Sequence, residues 1–483
     1  MSQRLVALTN TALNGVKFAG LTADSRLVKP GMLFLAYPGE QVDGRSFIVQ
    51  AIERGAAAVL WESSDFNWNP LWQVSNIAID GLRASAGQIA SDFYDSPTQT
   101  LWMIGVTGTN GKTSCSHWLA QALTLVGRKA AVVGTLGNGF PEALTEAVNT
   151  TPDPIVLQEL LADYLRQGAA AVAMEVSSHG LEQGRVNGVH FDVAVFTNLS
   201  RDHLDYHGDM AAYGAAKKQL FDWDGLGCAV LNSDDAFGAE IAKNLTEQGK
   251  RVLTYGLESG DIRGSQLQLS EHGLIMQVDT PFGSIALEAA LLGRFNAYNL
   301  LAVLAALLAS AVTLPEAVNA LKLLQPVAGR MQRLGGDKQP LLVIDYAHTP
   351  DALEKVLITL REQTKGKLIC VFGCGGNRDS GKRPLMGKVV SQLADIGIVT
   401  SDNPRREDPM EIISAIVAAM QGDFLVQKDR ALAIAHAVNT AKAGDVVLIA
   451  GKGHEDYQEV NGVKYPFSDM AVAEEALLKR IAA

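Results

Sequence analysis

The sequence predicts an α/β fold in three domains, on three observations. The chain has 483 residues, and at roughly 100–200 residues per domain that makes about three. Short apolar runs bounded by Gly, Pro and polar clusters alternate with segments of helical spacing, the pattern of parallel sheets covered on both faces. A turn with two glycines, Thr107-Gly108-Thr109-Asn110-Gly111-Lys112-Thr113, joins an apolar run directly to a helical segment.

Composition bounds the rest. Hydrophobic residues make up 47% and charged residues 19%, enough to build large cores. Net charge is −11 and no run of Lys or Arg stands out, so no nucleic-acid partner is expected. The richest apolar run, Leu300 to Val312, is too short to cross a membrane and reads as a buried helix. The first residues, Met1-Ser2-Gln3-Arg4-Leu5, lead into no long apolar stretch, so no signal peptide is expected. Cys115, Cys228, Cys370 and Cys374 are scattered without a zinc-type pairing and read as free thiols of a reducing, cytoplasmic setting.

The first domain runs over 1–94. Met32 to Ala36 reads as a strand closed by a Pro38-Gly39 turn, Phe47 to Arg54 as a helix and Ala56 to Leu60 as a second strand. Asp95-Ser96-Pro97-Thr98 is the linker. The second domain, 95–326, has strands at Leu101 to Val106, Ala169 to Val176, Val193 to Thr197 and Cys228 to Asn232, with a helix from Thr113 to about Leu125. The third, 327–483, has strands at Leu341 to Asp345, Leu368 to Phe372, Ile396 to Thr400 and Val446 to Ala450. Ligands of such sheets sit at the carboxyl ends of the strands. The polar residues after those ends are the candidates: Asp345 to His348, Gly373 to Arg378, Asp402 to Arg405 and Gly451 to Glu455.

The turn between strand and helix has the chemistry of a phosphate grip. Gly108 and Gly111 allow successive backbone N–H groups to point inward, and the helix start adds its positive dipole end. Lys112 would reach terminal phosphates and the Thr113 hydroxyl would ligate magnesium. The general pattern places a Gly where Val106 stands, so this is a shortened variant. Glu175, at a strand end, suits a magnesium ion or else a cap or ion pair. Ser177 and Ser178 suit substrate or the cap of the next helix. Asn198 to His207 is dense in polar groups, for a function or as a solvated loop. Asp402-Asn403-Pro404 also reads as the capped start of a helix.

These residues together resemble the Mur ligases. The resemblance is carried by Thr107 to Thr113, Glu175 to Leu181, Asn198 to Gly208, Gly293 to Asn299, Gly329 to Met331, Asp345 to Leu353 and Gly451 to Gln458, in order over nearly the whole chain. Asp402-Asn403-Pro404-Arg405 is similar to the signature of the family members that add meso-diaminopimelate. The resemblance implies an ATP-dependent ligase with Mg2+, working on UDP-N-acetylmuramoyl-L-Ala-D-Glu through an acyl phosphate, cytoplasmic and monomeric. Closure of the third domain over the second would keep water from the acyl phosphate.

Site roles follow by the same resemblance. Gly108, Thr109, Asn110, Gly111, Lys112, Thr113, Ser114, Asn296, Arg330, Asp345 and His348 would contact ATP. Ser25, Glu40, Gln41 and Val42 would meet the uridine end. Asn149, Thr150, Thr151, Ser177, Gln183 and Arg185 would hold the muramoyl dipeptide. Arg378, Asp402, Asn403, Pro404, Arg405, Gly451 and Glu455 would bind diaminopimelate, with the Arg405 fork matched to its distal carboxylate. Thr113, Glu175, His203 and a carbamylated Lys217 would hold magnesium; the adjacent Lys218 is the alternative register for that lysine. Two other functions fit part of the pattern: a relative adding L-lysine, or glutamate to folate, and a non-catalytic nucleotide switch. Asp402 to Arg405 and the first-domain residues speak against the former, and the polar set of the third domain against the latter.

Overall fold

The computed structural model describes residues 18–40, 42–270 and 273–482. The chain divides into two compact units. The first comprises Met1–Thr107, Leu123–Ala194 and Ala216–Cys228, and the second Gly108–Ala122, Val195–Ala215 and Ala229–Ala483.

The first unit opens with a parallel four-stranded sheet in sequence order: β1 (Leu21–Thr22), β2 (Leu33–Ala36), β3 (Ala58–Glu62) and β4 (Ser75–Ile79). Side chains alternate across a strand, and β2 and β3 use both faces. Leu33, Leu35, Ala58 and Leu60 pack with the helix Leu82–Phe93. Phe34, Ala36, Val59 and Trp61 pack with the helix Ile48–Glu53. A second group of strands follows: β5 (Trp102–Thr107), β6 (Ala130–Gly134), β7 (Gly137–Phe140), β8 (Ala143–Thr145) and β9 (Ala171–Glu175). β9 lies between β5 and β6 and runs parallel to both. β6, β7 and β8 pair antiparallel, a departure from the all-parallel expectation. Both β10 (Val193–Phe196) and β11 (Cys228–Asn232) begin in the first unit and end in the second.

In the second unit β11 pairs parallel with β12 (Val252–Gly256), and β12 with β13 (Ile262–Ser270). β13, β14 (Gly273–Thr280) and β15 (Gly283–Ala289) then form an antiparallel meander with a bulge between Ser265 and Gln268. The apolar run around Leu300 lies in the helix Arg294–Ala309, almost entirely buried.

The remaining sheet has the order β16 (Gln332–Gly335), β17 (Leu341–Asp345), β21 (Val446–Ala450), β18 (Leu368–Phe372), β19 (Ile396–Val399), β20 (Phe424–Val426). All are parallel except edge strand β16. Val343, Cys370, Phe372, Leu448 and Ala450 face one layer of helices, while Leu342, Ile344, Ile369, Val371, Val447 and Ile449 face the other. A hairpin, β22 (Tyr457–Val460) and β23 (Val463–Pro466), follows β21.

One ion pair ties this sheet's helices together. The Arg430 guanidinium donates to Asp469 from Nε and Nη2, each at 2.7 Å, and Nη2 also donates to the Ala450 carbonyl at 2.9 Å. Both side chains are 0% exposed. Removing one partner of such a pair strands a buried charge. Arg430→Ala is expected to cost about 3–5 kcal/mol, read from the midpoint of urea unfolding; a loss below about 1 kcal/mol would refute the assignment.

Candidate active site

In the second unit, the loop between β5 and the helix Lys112–Leu125 has the backbone that the two glycines were expected to provide. Gly108 has φ +140° and Gly111 φ +89°. A Cβ on Gly108 would stand 1.9 Å from Thr197 Oγ1, and one on Gly111 would stand 2.5 Å from Asn299 Oδ1. The loop is held from the stretch after β10. Thr109 N–H donates to the Asn198 carbonyl at 2.8 Å, and Asn110 N–H to Asn198 Oδ1 at 3.1 Å. The Asn110 carbonyl accepts from Thr197 Oγ1 at 2.6 Å and from Asn198 Nδ2 at 3.1 Å. Lys112 Nζ folds back on the loop, donating to the Gly108 and Thr109 carbonyls at 2.9 Å each. Ser114 is buried in the first turn of the helix.

Further residues of the expected ATP set lie in the same unit. Arg330 Nη2 donates to Thr113 Oγ1 at 3.0 Å, and its guanidinium lies 4.4 Å from the centre of the Tyr346 ring. Asp345 accepts the Met331 and Ala347 N–H groups at 2.8 Å each. Burial pushes its carboxyl above the usual range, partly offset by Arg330 and those donors. Asn296 is engaged locally, donating to the Leu292 carbonyl at 2.8 Å and accepting from Asn299 at 3.0 Å. The sequence reading passed over Asp351. Its Oδ2 accepts from Asn110 Nδ2 at 2.8 Å and Ser200 Oγ at 3.1 Å, so this carboxylate at the head of the helix Pro350–Gln363 reaches the phosphate loop.

A pocket of ≈ 150 Å³ opens at the carboxyl ends of β17, β18, β19 and β21. One water needs only about 10–15 Å³ of such space, so a small polar ligand fits. The lining brings together Arg378, Asp402, Asn403, Arg405, Gly451 and Glu455 of the expected amino-acid set with His203 and His348. Pro404 is not part of it; its carbonyl stands 2.1 Å from where a Gly376 Cβ would be. Asp402 does not start a helix: the next helix, Pro409–Val417, is capped by Asp408. Asp202, Asp205 and Tyr346, which lay in candidate stretches without an assigned role, also line the pocket, as do Asp379 and Lys382, which were missed. The density of polar groups around Asp202 was the available signal.

Backbone geometry aims Arg405. Its φ is +53°, rare for a side chain of this size. The hairpin holds it there, with Arg405 N–H donating to the Glu459 carbonyl at 3.0 Å and Asn461 N–H to the Arg405 carbonyl at 2.6 Å. Arg405 Nη1 donates to the Gly376 carbonyl at 2.9 Å and Nε lies 3.4 Å from Glu459 Oε2. The adjoining loop is pinned by Glu407, which accepts from Arg383 Nη2 at 2.8 and 2.9 Å and from Asn377 N–H.

Charge in the pocket is arranged by sign. Burial alone would raise the Asp202 carboxyl, but His203, His348 and Lys382 bring it down to about 2. Asp402 is likewise lowered against its burial by Lys452 and Arg430. His203 has φ +54° and its Nε2 lies 3.3 Å from Asp202 Oδ2.

The first unit carries the other expected residues. Glu175 ends β9 with its carboxylate fully buried, accepting from Thr135 N–H at 2.8 Å and Thr135 Oγ1 at 3.1 Å. Thr151 Oγ1 donates to the Glu175 carbonyl at 3.0 Å and accepts from Ser177 N–H at 3.0 Å. Arg185 reaches the Thr151 carbonyl from Nη1 at 2.9 Å and Gln183 Oε1 from Nε at 2.8 Å. Thr151, Ser177, Gln183 and Arg185 thus form one network. Ser177 does cap the short helix Ser178–Glu182. Thr150 contacts Thr135 Oγ1 at 3.0 Å, and Asn149 is exposed. Ser25 is buried against Gln50 Oε1 at 2.5 Å. Glu40 accepts from Arg83 at 3.3 Å, Val42 is exposed, and Gln41 lies outside the described residues. Lys217 is 1% exposed, whereas Lys218 reaches the surface and pairs with Asp222 at 2.7 Å. The four cysteines are buried and none is in a disulfide.

Three family models match the chain: "Mur ligase family, catalytic domain" over residues 17–94, "Mur ligase middle domain" over 106–307 and "Mur ligase, glutamate ligase domain" over 329–453. A relative from Chromobacterium violaceum, UDP-N-acetylmuramoyl-L-alanyl-D-glutamate--2,6-diaminopimelate ligase, is 56% identical over 467 residues, covering 96% of this chain and 95% of its own. A solved structure of a protein with the same description is 40% identical, with TM-score 0.70 over 96% of this chain and 95% of that one. The MurF ligase of Thermotoga maritima, solved in complex with ADP, shares the fold at 19% identity, with TM-score 0.65 over 95% of this chain and 96% of that one.

Burial, with Lys382 next in weight, lowers the His348 imidazole to about 4 from an ordinary 6.5. Nδ1 donates to the Tyr346 carbonyl at 2.8 Å, leaving Nε2 as an acceptor. The sign is that of a group kept neutral by the fold: its contribution is complete above pH 6.5 and is lost as pH falls from 6.5 to about 4, where the unfolded chain takes a proton that the folded one refuses. His348→Gln is expected to flatten unfolding free energy against pH in that window by about one proton, or about 1.4 kcal/mol per pH unit. Urea titrations from pH 7 to pH 4.5 measure it, and an unchanged slope would contradict the assignment.

Proposed function

Since this chain belongs to the Mur ligase family, we propose that it joins meso-diaminopimelate to the D-Glu carboxylate of UDP-N-acetylmuramoyl-L-Ala-D-Glu, using ATP and releasing ADP and phosphate. The observation that carries this reading is the pocket at the strand ends where Arg378, Asp402, Asn403, Arg405 and Glu455 converge. Two cationic forks and two carboxylates suit a ligand with both carboxylate and ammonium groups.

The reaction has two steps. The γ-phosphoryl group moves to a D-Glu carboxylate oxygen, giving an acyl phosphate and ADP. The diaminopimelate amine then attacks the acyl carbon, the C–O bond to phosphate breaks, and the nitrogen loses a proton. Phosphoryl transfer needs alignment and charge stabilisation more than covalent help. The start of the helix at Lys112 supplies fixed donors for phosphate oxygens, while the Thr109 and Asn110 N–H groups are taken by Asn198 and brace the loop. Lys112 would exchange the Gly108 and Thr109 carbonyls for phosphate. Arg330, already bonded to Thr113, adds a second cation. Asn296, Asp345 and His348 complete the ATP set.

Thr113, Glu175, His203 and a carbamylated Lys217 would hold magnesium. The donors fit: hydroxyl and carboxylate oxygens, and an imidazole beside Asp202. Burial of Lys217, with Lys218 on the surface, favours Lys217 as the modified residue. When bound, the ion would neutralise phosphate charge. Among the described residues no group of three or more His, Cys, Asp or Glu side chains is placed to hold a metal ion.

The reading extends to the rest of the chain. Ser25, Glu40, Gln41 and Val42 bind the uridine end, and the network of Thr151, Ser177, Gln183 and Arg185, with Asn149 and Thr150, holds the muramoyl dipeptide. Domains span 1–94, 95–326 and 327–483. The enzyme works as a cytoplasmic monomer; no helix among the described residues is long and apolar enough to cross a membrane.

Lys112→Ala is expected to abolish phosphate release while leaving the circular dichroism spectrum unchanged; retained turnover would remove the loop from the mechanism. Specificity is tested with Arg405→Asn, because Asn tolerates the left-handed backbone at that position. Loss of a charge-assisted pair should raise KM for meso-diaminopimelate by about 10- to 100-fold. Wild-type turnover of L-lysine equal to that of meso-diaminopimelate would overturn the substrate assignment.

A further inference from the structure

Behind the pocket wall lies a buried cation to which none of the roles above gives a task. Lys452 follows β21, and its side chain is 0% exposed. Its ammonium donates to Asn403 Oδ1 at 2.9 Å and Glu455 Oε2 at 3.2 Å, and lies 3.9 Å from Asp402 Oδ1. Fold stability alone is a poor reason for a buried group of charges, because apolar side chains of similar volume in place of all its members are often as stable or more so.

The bonds around it leave little freedom. Asn403 Oδ1 accepts from Lys452 and from Glu459 N–H at 2.9 Å, which fixes the direction of the amide. Nδ2 then donates to Glu455 Oε2 at 2.8 Å. That oxygen has two donors, while Oε1 accepts no hydrogen bond among the described residues, and Glu455 lines the pocket beside Asp402. We propose that Lys452 is a positioning residue for the amino-acid substrate: its ammonium fixes Asn403 and Glu455 in the arrangement that offers Glu455 Oε1 to an incoming ammonium group. This rests on the reading of the pocket as the diaminopimelate site.

Charge supports the same role. The Glu455 carboxyl stands above the usual carboxylate range, because burial and Asp402 raise it and Lys452 and Asn403 only partly offset them. Arg430, Tyr346 and Tyr457 also interact electrostatically with Glu455. Without the ammonium, Glu455 would keep its proton to higher pH and lose its attraction for a cation.

The test uses the full-length enzyme with Lys452→Met, Lys452→Gln and Lys452→Arg. The two neutral variants should raise KM for meso-diaminopimelate by about tenfold or more, the scale of one charge-assisted hydrogen bond. KM for ATP and for the nucleotide dipeptide should stay within about twofold, well under one such bond. The acid limb of 1/KM for the amino acid should move to higher pH, and Lys452→Arg should recover part of the loss. A wild-type KM for the amino acid in a folded neutral variant would overturn the proposal, as would an equal rise in all three KM values. Unfolding of both neutral variants would also overturn it, because the ammonium would then hold the fold rather than the pocket. A wild-type enzyme that releases no phosphate with meso-diaminopimelate would instead sink the proposed function, before any variant is made.

Discussion

A parallel sheet covered on both faces has no room for polar groups along its strands, so chemistry is pushed to their carboxyl ends. The rest of the second unit's site depends on that constraint. β17, β18 and β21 send alternate side chains into two apolar layers. At their ends the apolar run stops at once, at Asp345, Gly373 and Gly451. Side chains distant in sequence therefore meet in one pocket.

A buried site of this kind must also balance its charges, and here they alternate. Asp469 neutralises Arg430, which faces Asp402; Lys452 lies between Asp402 and Glu455. The series starts in helix packing and ends at the pocket wall. Stability and recognition thus draw on the same buried ions, and the Arg430 contact with the Ala450 carbonyl joins them one residue before Gly451. Asp351 does something comparable for the phosphate loop, holding the Asn110 side chain from the head of a helix that starts next to His348.

Much of this was legible in the sequence where a residue's environment follows from its neighbours. Leu341 to Asp345, Leu368 to Phe372 and Val446 to Ala450 read as buried strands because a short apolar run with polar punctuation has few other uses. Gly108 and Gly111 read as a turn, and their positive φ agrees. Pairings across long separations were not legible. Arg430 and Asp469 are 39 residues apart, and nothing near either names its partner. Lys452 lay within the candidate stretch Gly451 to Glu455 but was given no role, because its complete burial appears only in the fold. The meander β13 to β15 escaped because its alternating exposure leaves no continuous apolar run. Ser177 was ambiguous between cap and substrate contact because one hydroxyl can serve either, and the fold shows the cap.

The left-handed backbone at Arg405 has a consequence for how this pocket can change. Main chain at φ +53°, clamped between the Glu459 carbonyl and Asn461 N–H, admits Gly, Asn or Asp readily and β-branched residues poorly. Position 405 therefore filters its own replacements by backbone conformation before the substrate is consulted. A drift in amino-acid preference that needs Val, Ile or Thr there would have to remodel the hairpin first. Single-step routes to a new specificity run instead through neighbouring side chains whose main chain is relaxed.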